Sequence, residues 1–358
     1  MLRLHRYAGL AAAALLLVQA LTGCLLVYRT QAAQWIDPAG FVRRSPAGAT
    51  PVSRILAAAQ GSEADVRVDR LFFPPVPDAT YIARMRDGDG ATRYASIDPG
   101  DAAVLRHGGF TAFAVEAALT IHYTWLAGRM GTAVVILAGL ALLGLAASGI
   151  CYWWPRRGRI RKSLAIQTHL PARLILRQLH RSTGVIVSLL LCFSAVTGLM
   201  LAIPILVDGT APPAQRAVIP ANVDRALDLA RRAFPGGAIR DVRLAADGAL
   251  VVNILAPERN ARAVHKLVVD SNAMRIIATT PASADRALWV IALPLHAGDA
   301  LGAPGHILIL LGGLVLVALS LTGPLMWWQS RRSRYKSPGK KNRSPANAGA
   351  QESPARYE

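Results

Sequence analysis

Four stretches of the chain run for more than twenty positions without a charged residue: Tyr7–Tyr28, Met130–Trp154, Ser182–Val207 and Ile307–Ser330. At about 1.5 Å of rise per residue, each is long enough as a helix to cross a hydrocarbon core of about 30 Å. Between the first and second runs, and again between the third and fourth, lie segments of a different pattern. Val223–Phe234 has helical periodicity and ends at Pro235-Gly236-Gly237. It precedes four runs rich in valine and isoleucine: Ala238–Ala245, Ala249–Ala256, Ala261–Asp270 and Ala273–Thr280. Asp247-Gly248, Pro257–Asn260 and Ser271-Asn272 supply the turn chemistry between them. The earlier segment reads the same way, with a helix over Pro51–Gln60 and strands around Val66–Phe73, Thr80–Arg86, Ala91–Asp98 and Ala102–Arg106. Each segment therefore predicts a small α+β module, one helix against an antiparallel sheet.

Composition agrees with a polytopic membrane protein. Of 358 residues, 53% are hydrophobic and only 17% charged, too apolar for an ordinary soluble domain. The net charge of +19 would suit nucleic acid, but its placement argues otherwise. Eighteen of the 40 Lys and Arg lie in the first six residues, in 155–181 and in the tail from Arg331, and the rest of the chain is close to neutral. Basic residues gathered at one set of span ends are the positive-inside signature. It places both termini and the 155–181 loop in the cytoplasm of a bacterial inner-membrane protein. Trp153-Trp154 and Trp327-Trp328 then form a cytoplasmic interfacial belt. The expected divisions are spans at 1–29, 130–154, 182–207 and 304–330, and extracytoplasmic modules at 30–129 and 208–303. A basic loop at 155–181 and a basic, disordered tail at 331–358 complete the chain. With no nucleic-acid motif beside the charge, no nucleic-acid partner is expected beyond the membrane lipid itself. Leu21-Thr22-Gly23-Cys24 resembles a lipoprotein cleavage box, but the apolar run continues past it to Tyr28, longer than a signal h-region.

The chain is an internal duplication. Leu4-His5-Arg6, Gly9 and Thr22-Gly23 match Leu179-His180-Arg181, Gly184 and Thr197-Gly198 at an offset of 175. His122, Gly149 and Trp153-Trp154 match His296, Gly323 and Trp327-Trp328 at an offset of 174. Two spans per copy make the repeats parallel, related by a pseudo-twofold along the membrane normal. Matched residues then share a depth and can face each other across the axis. Four of the eight histidines form two such pairs, His5/His180 and His122/His296. Histidine beside a span is a functional-site hypothesis, and two facing imidazoles are what a six-coordinate b-type haem needs. Arg6 and Arg181 are candidate propionate partners. His306, at the mouth of span four, and His169, in the basic loop, are alternative ligands. The glycines in the spans, Gly9, Gly23, Gly139, Gly144, Gly184, Gly198, Gly312 and Gly313, permit close backbone approach or room for a flat macrocycle. The sequence contains no Cys-x-x-Cys-His, nucleotide fingerprint, P-loop or hydrolase elbow, so electrons would come from a quinol or another cytoplasmic or membrane donor.

Leu-His-Arg with its following glycine and Thr-Gly, Trp-Trp-Pro-Arg-Arg at 153–157, and Leu295-His296-x-Gly298 with Gly302 resemble the PepSY-associated transmembrane family over nearly the whole chain to about Gln329. The resemblance implies two extracytoplasmic PepSY-like modules on a four-helix membrane bundle of two tandem parallel repeats. Some members of that family are similar to haem-bearing siderophore-iron reductases. By that resemblance, two haem b groups would be ligated by His5, His122, His180 and His296. The chain would then be an oxidoreductase that carries electrons across the membrane to a ferric siderophore or other ferric chelate. The alternative is a membrane-anchored PepSY binding or regulatory protein without redox activity. Metal translocation is less favoured, because Glu116 and Asp208 lie only near span ends.

Overall fold

The computed structural model describes residues 2–46, 48, 50–155, 159–208, 219–245 and 247–335. In chain order the elements are α1 (Leu2–Val27), α2 (Arg29–Ile36), α3 (Pro38–Phe41) and α4 (Val52–Gln60), then strands β1 (Arg67–Phe72), β2 (Tyr81–Arg86), β3 (Thr92–Ile97) and β4 (Val104–Gly108). Helices α5 (Ala114–Thr124), α6 (Gly128–Trp153), α7 (Ile160–Leu164), α8 (Ala172–Asp208) and α9 (Val223–Ala233) follow. Strands β5 (Ile239–Leu244), β6 (Ala249–Leu255), β7 (Val264–Asp270) and β8 (Arg275–Thr280) precede α10 (Leu288–Ala297) and α11 (Ala303–Tyr335).

Helices α1, α6, α8 and α11 are each long and apolar enough to cross a membrane. Their packing follows the duplication: α1 lies against α11 as α8 lies against α6. The helix containing the third uncharged run starts ten residues before Ser182, so part of the basic 155–181 segment is helical. The expectation of a disordered tail falls mostly on 336–358, outside the described residues. The chain remains helical through Cys24, whose Sγ lies 3.8 Å from the Leu310 carbonyl of α11.

One expectation needs correction. The two α+β modules do not carry separate sheets. All eight strands form a single antiparallel sheet in the order β4-β3-β2-β1-β5-β6-β7-β8. The junction is the β1–β5 pair, with Arg70 opposite Arg243, Leu71 opposite Val242 and Phe72 opposite Asp241. The reason is the edge problem: β1 and β5 would each be an open edge of a four-stranded sheet, and pairing satisfies both rows of backbone groups. The order is symmetric about this seam, so the pseudo-twofold passes through it.

One face of the sheet is apolar. Val68, Leu71, Ala83, Met85, Val242, Val252 and Leu267 alternate inward to meet Ile55 and Leu56 of α4 and Ala226 and Leu227 of α9, all buried. Full burial of each large aliphatic side chain contributes about 1.5–3 kcal/mol. The other face is polar and looks toward the helices. There Tyr94 of β3 rests its ring on Phe113, 5.4 Å away, at the start of α5. Asp98 fastens the chain before α4 to the sheet: although burial pushes its carboxyl up, hydrogen bonds from the Ser45 hydroxyl and from the N–H groups of Arg44, Gly100 and Ser45 win and hold it at about 2.

Candidate functional site

Helices α5 and α10 are the short apolar segments that bring His122 and His296 to the bundle. Trp125, Leu126 and Gly128 have positive φ between α5 and α6, as do Gly298 and Gly302 between α10 and α11. The chain thus turns back sharply after each histidine. Gly131 and Gly305 complete these corners. A Cβ on Gly131 would collide with the Thr124 carbonyl and one on Gly305 with the Gly298 carbonyl, so only glycine lets the corner close.

The two imidazoles meet with ring centroids 6.2 Å apart and planes inclined by 48°. Two imidazoles each bound at about 2 Å to one shared metal ion would hold their centroids roughly 6 Å apart. At the opposite, basic end of the bundle, His180 of α8 lies within electrostatic reach of His5 of α1. Along α1, His5 and the Thr22 level of the outer pair are separated by 17 residues, about 25 Å of helix.

All four rings are held in one manner. His122 Nδ1 lies 3.0 Å from Thr22 Oγ1, and His296 Nδ1 lies 3.0 Å from Thr197 Oγ1. His5 Nδ1 lies 2.8 Å from Ser148 Oγ, and His180 Nδ1 lies 2.7 Å from Thr322 Oγ1. Each of these hydroxyls also reaches a backbone carbonyl one turn earlier, at Val18, Phe193, Leu145 and Ala318. With its own proton given to that carbonyl, the hydroxyl oxygen accepts from the imidazole. Nδ1 therefore carries the ring proton, and Nε2 presents its lone pair. Histidine ligands are oriented by this kind of outer hydrogen bond. In every case a glycine follows the hydroxyl residue. A Cβ at Gly23 or Gly198 would stand 3.1 Å from Cε1 of His122 or His296, and one at Gly149 or Gly323 would stand 3.5 or 3.8 Å from Cε1 of His5 or His180. The motif is thus Ser/Thr-Gly: the hydroxyl aims the ring and the glycine admits it.

The alternatives lie elsewhere. His306 Nε2 sits 3.1 Å from Asp299 Oδ1, with Tyr28 edge-on at 5.9 Å. Asp299 is also held by Arg262 at 2.8 Å. His169 is exposed in the turn before α8. His107 meets Glu63, and His265 stacks on Phe234 at 3.9 Å. Glu116 bonds Arg29 of α2. Among the described residues no group of three or more His, Cys, Asp or Glu gathers as a metal site. Each histidine pair therefore supplies two ligands, and further equatorial donors would have to come from a chelating cofactor.

The residues present suit haem. The donor set is a pair of neutral imidazoles. Arg6 and Arg181, next to His5 and His180, each bury a guanidinium Nε without a hydrogen-bond partner, and a buried donor without a partner is costly. A carboxylate such as a propionate would satisfy either one. At the outer pair the Gln19 side chain donates to the His122 carbonyl at 2.9 Å, which fixes α5 against α1.

Sequence reasoning matched Thr22 with Thr197 without giving them a role, and missed Ser148 and Thr322. Their signal was present, because Thr22-Gly23/Thr197-Gly198 and Ser148-Gly149/Thr322-Gly323 are themselves repeat-matched. A family model described as the PepSY-associated TM region matches residues 2–330. No curated protein matches the chain.

Proposed function

Because the chain belongs to the PepSY-associated transmembrane family, we propose that it is a membrane oxidoreductase that binds two b-type haems and delivers electrons to a ferric chelate on the sheet side. The observation that carries the reading is the fourfold repetition of one device, an imidazole whose Nδ1 proton is held by a hydroxyl, leaving Nε2 free, at two repeat-matched pairs, of which His122 and His296 face each other. His5 and His180 would hold one haem near the basic end, and His122 and His296 the other near the sheet, with Arg6 and Arg181 as propionate partners. When bound, such a group supplies a one-electron ferric/ferrous couple.

The chain's own contribution is placement and exclusion. The two pairs lie on the pseudo-twofold near opposite ends of helices that span the bilayer, where an unaided charge faces a high dielectric barrier. The hydroxyls hold each ring in one orientation and one tautomer, with Nε2 left free. The positive-inside charge pattern supports an inner-membrane orientation with the sheet, read as a pair of PepSY modules, outside the cytoplasm. A ferric siderophore or similar chelate is a fitting acceptor, because ferric iron holds hard oxygen ligands more strongly than ferrous iron does. The donor would be a quinol or a cytoplasmic or membrane protein.

A visible absorption spectrum of the purified protein tests this directly. Dithionite reduction should sharpen α and β bands of a b-type cytochrome, with two haems per chain by pyridine haemochrome. A protein purified from haem-replete cells without these bands would favour the non-redox binding module instead.

A further inference from the structure

The polar face of the sheet carries an arrangement that sheet stability alone disfavours. Arg84 of β2 is directly opposite Arg70 of β1, and Arg70 is directly opposite Arg243 of β5. Three guanidiniums therefore line up across adjacent strands that lie about 4.8 Å apart. Directly opposed like charges destabilise a sheet. Burial lowers the Arg70 pKa, and Arg243 and Arg84 add to that effect against the Asp241 carboxylate.

The carboxylates beneath the row do not neutralise it. Asp69 takes Arg84 at 2.8 Å and has Arg86 at 3.6 Å. Asp241, fully buried, takes Arg70 and Arg240 at 2.8 Å each and the Asn253 amide at 2.9 Å. That is four guanidiniums on two saturated carboxylates. Arg243 is exposed and has no partner among the described residues.

Position gives the row its meaning. Arg70 and Arg243 belong to the β1–β5 seam, which lies on the pseudo-twofold, as does the His122/His296 pair. Arg84 is within electrostatic reach of Tyr123, the residue after His122 on α5. The next residue in the same cross-strand row is Tyr94, which packs on Phe113 at the foot of that helix. The Arg84 end of the row thus lies beside α5, the helix that carries His122.

We propose that this row receives an anionic, carboxylate-bearing ferric chelate over the outer histidine pair. The proposal rests on the reading of the chain as a ferric-chelate reductase and narrows its substrate class. Planar guanidiniums pair with carboxylates through two parallel N–H bonds. A ligand carboxylate on Arg243 also relieves the repulsion along the row, so binding and sheet stability work together. A cationic chelate meets the opposite field.

Gallium(III) citrate, which cannot be reduced under these conditions, separates binding from turnover. Calorimetric titration of the full chain should give an affinity that falls as ionic strength rises. Arg243→Gln should weaken it about ten-fold, the scale of one charge-assisted contact, and Arg243→Glu should weaken it further. Arg275→Gln, at the far edge of the sheet, should leave it unchanged. The cationic gallium complex of desferrioxamine B should bind at least about ten-fold more weakly than gallium citrate. Equal affinity of the wild type and Arg243→Gln for gallium citrate, or equal binding of the two complexes, overturns the proposal. Arginine-dependent binding by a protein without haem bands would leave the anion site standing and remove the reductase reading.

Discussion

Changing His122 or His296 to alanine is expected to remove one of the two haems, and the same one in both variants. The two rings face each other at 6.2 Å, and neither pair has a third protein donor to fall back on among the described residues. Losing either imidazole would therefore leave a haem bound there with one protein ligand in place of two. Pyridine haemochrome should fall from two haems per chain toward one, while the His5/His180 spectrum persists. Helix α5 should stay in place, because its hold on α1 includes the Gln19 contact with the His122 backbone carbonyl, which does not involve the side chain. Reduction of external ferric chelate should fall by at least about a hundred-fold, as for loss of an electrostatically essential group. If His306→Ala alone removed this haem, the Asp299 tether on His306 would have to break, and the symmetric assignment would fail.

The second large effect is expected at the basic end. His180→Ala should remove the other haem and so halve the total, leaving the outer site loaded but without its supply of electrons. Thr322→Val tests the orienting hydroxyl separately. It keeps the side-chain volume and removes the acceptor that lies 2.7 Å from His180 Nδ1, so affinity at that site should drop by about 10–100-fold. Haem retained at wild-type levels in His180→Ala would refute the inner assignment.

Much of this architecture can be read without coordinates. The spans are legible because charge is absent over whole bilayer lengths, and the strands because valine and isoleucine alternate between turn residues. The paired histidines are legible because the duplication marks them. Four features are not. Helix α10, Leu-Trp-Val-Ile-Ala-Leu-Pro-Leu-His-Ala, is apolar on all sides, so no helical period distinguishes it from a strand or a loop. The seam between β1 and β5 joins residues about 170 positions apart, and either strand alone reads as an ordinary edge. The role of Thr22 depends on a contact with His122 exactly one hundred positions away; the Thr-Gly match is visible in the sequence, but its purpose is set by tertiary packing. The arginine row escapes notice for the same reason, since its members come from three strands and become neighbours only in the folded sheet.

The central claim is that electrons cross from the basic end of the bundle to the sheet side through the two histidine pairs. Vesicles carrying the purified, oriented protein, with dithionite trapped on the basic side and ferric citrate with a ferrous-specific chromogenic chelator on the sheet side, measure that transfer. Ferrous iron should accumulate outside wild-type vesicles and fall to the level of protein-free vesicles with either His180→Ala or His122→Ala. Wild-type vesicles that reduce no more iron than empty ones, or variants as fast as the wild type, would contradict the account.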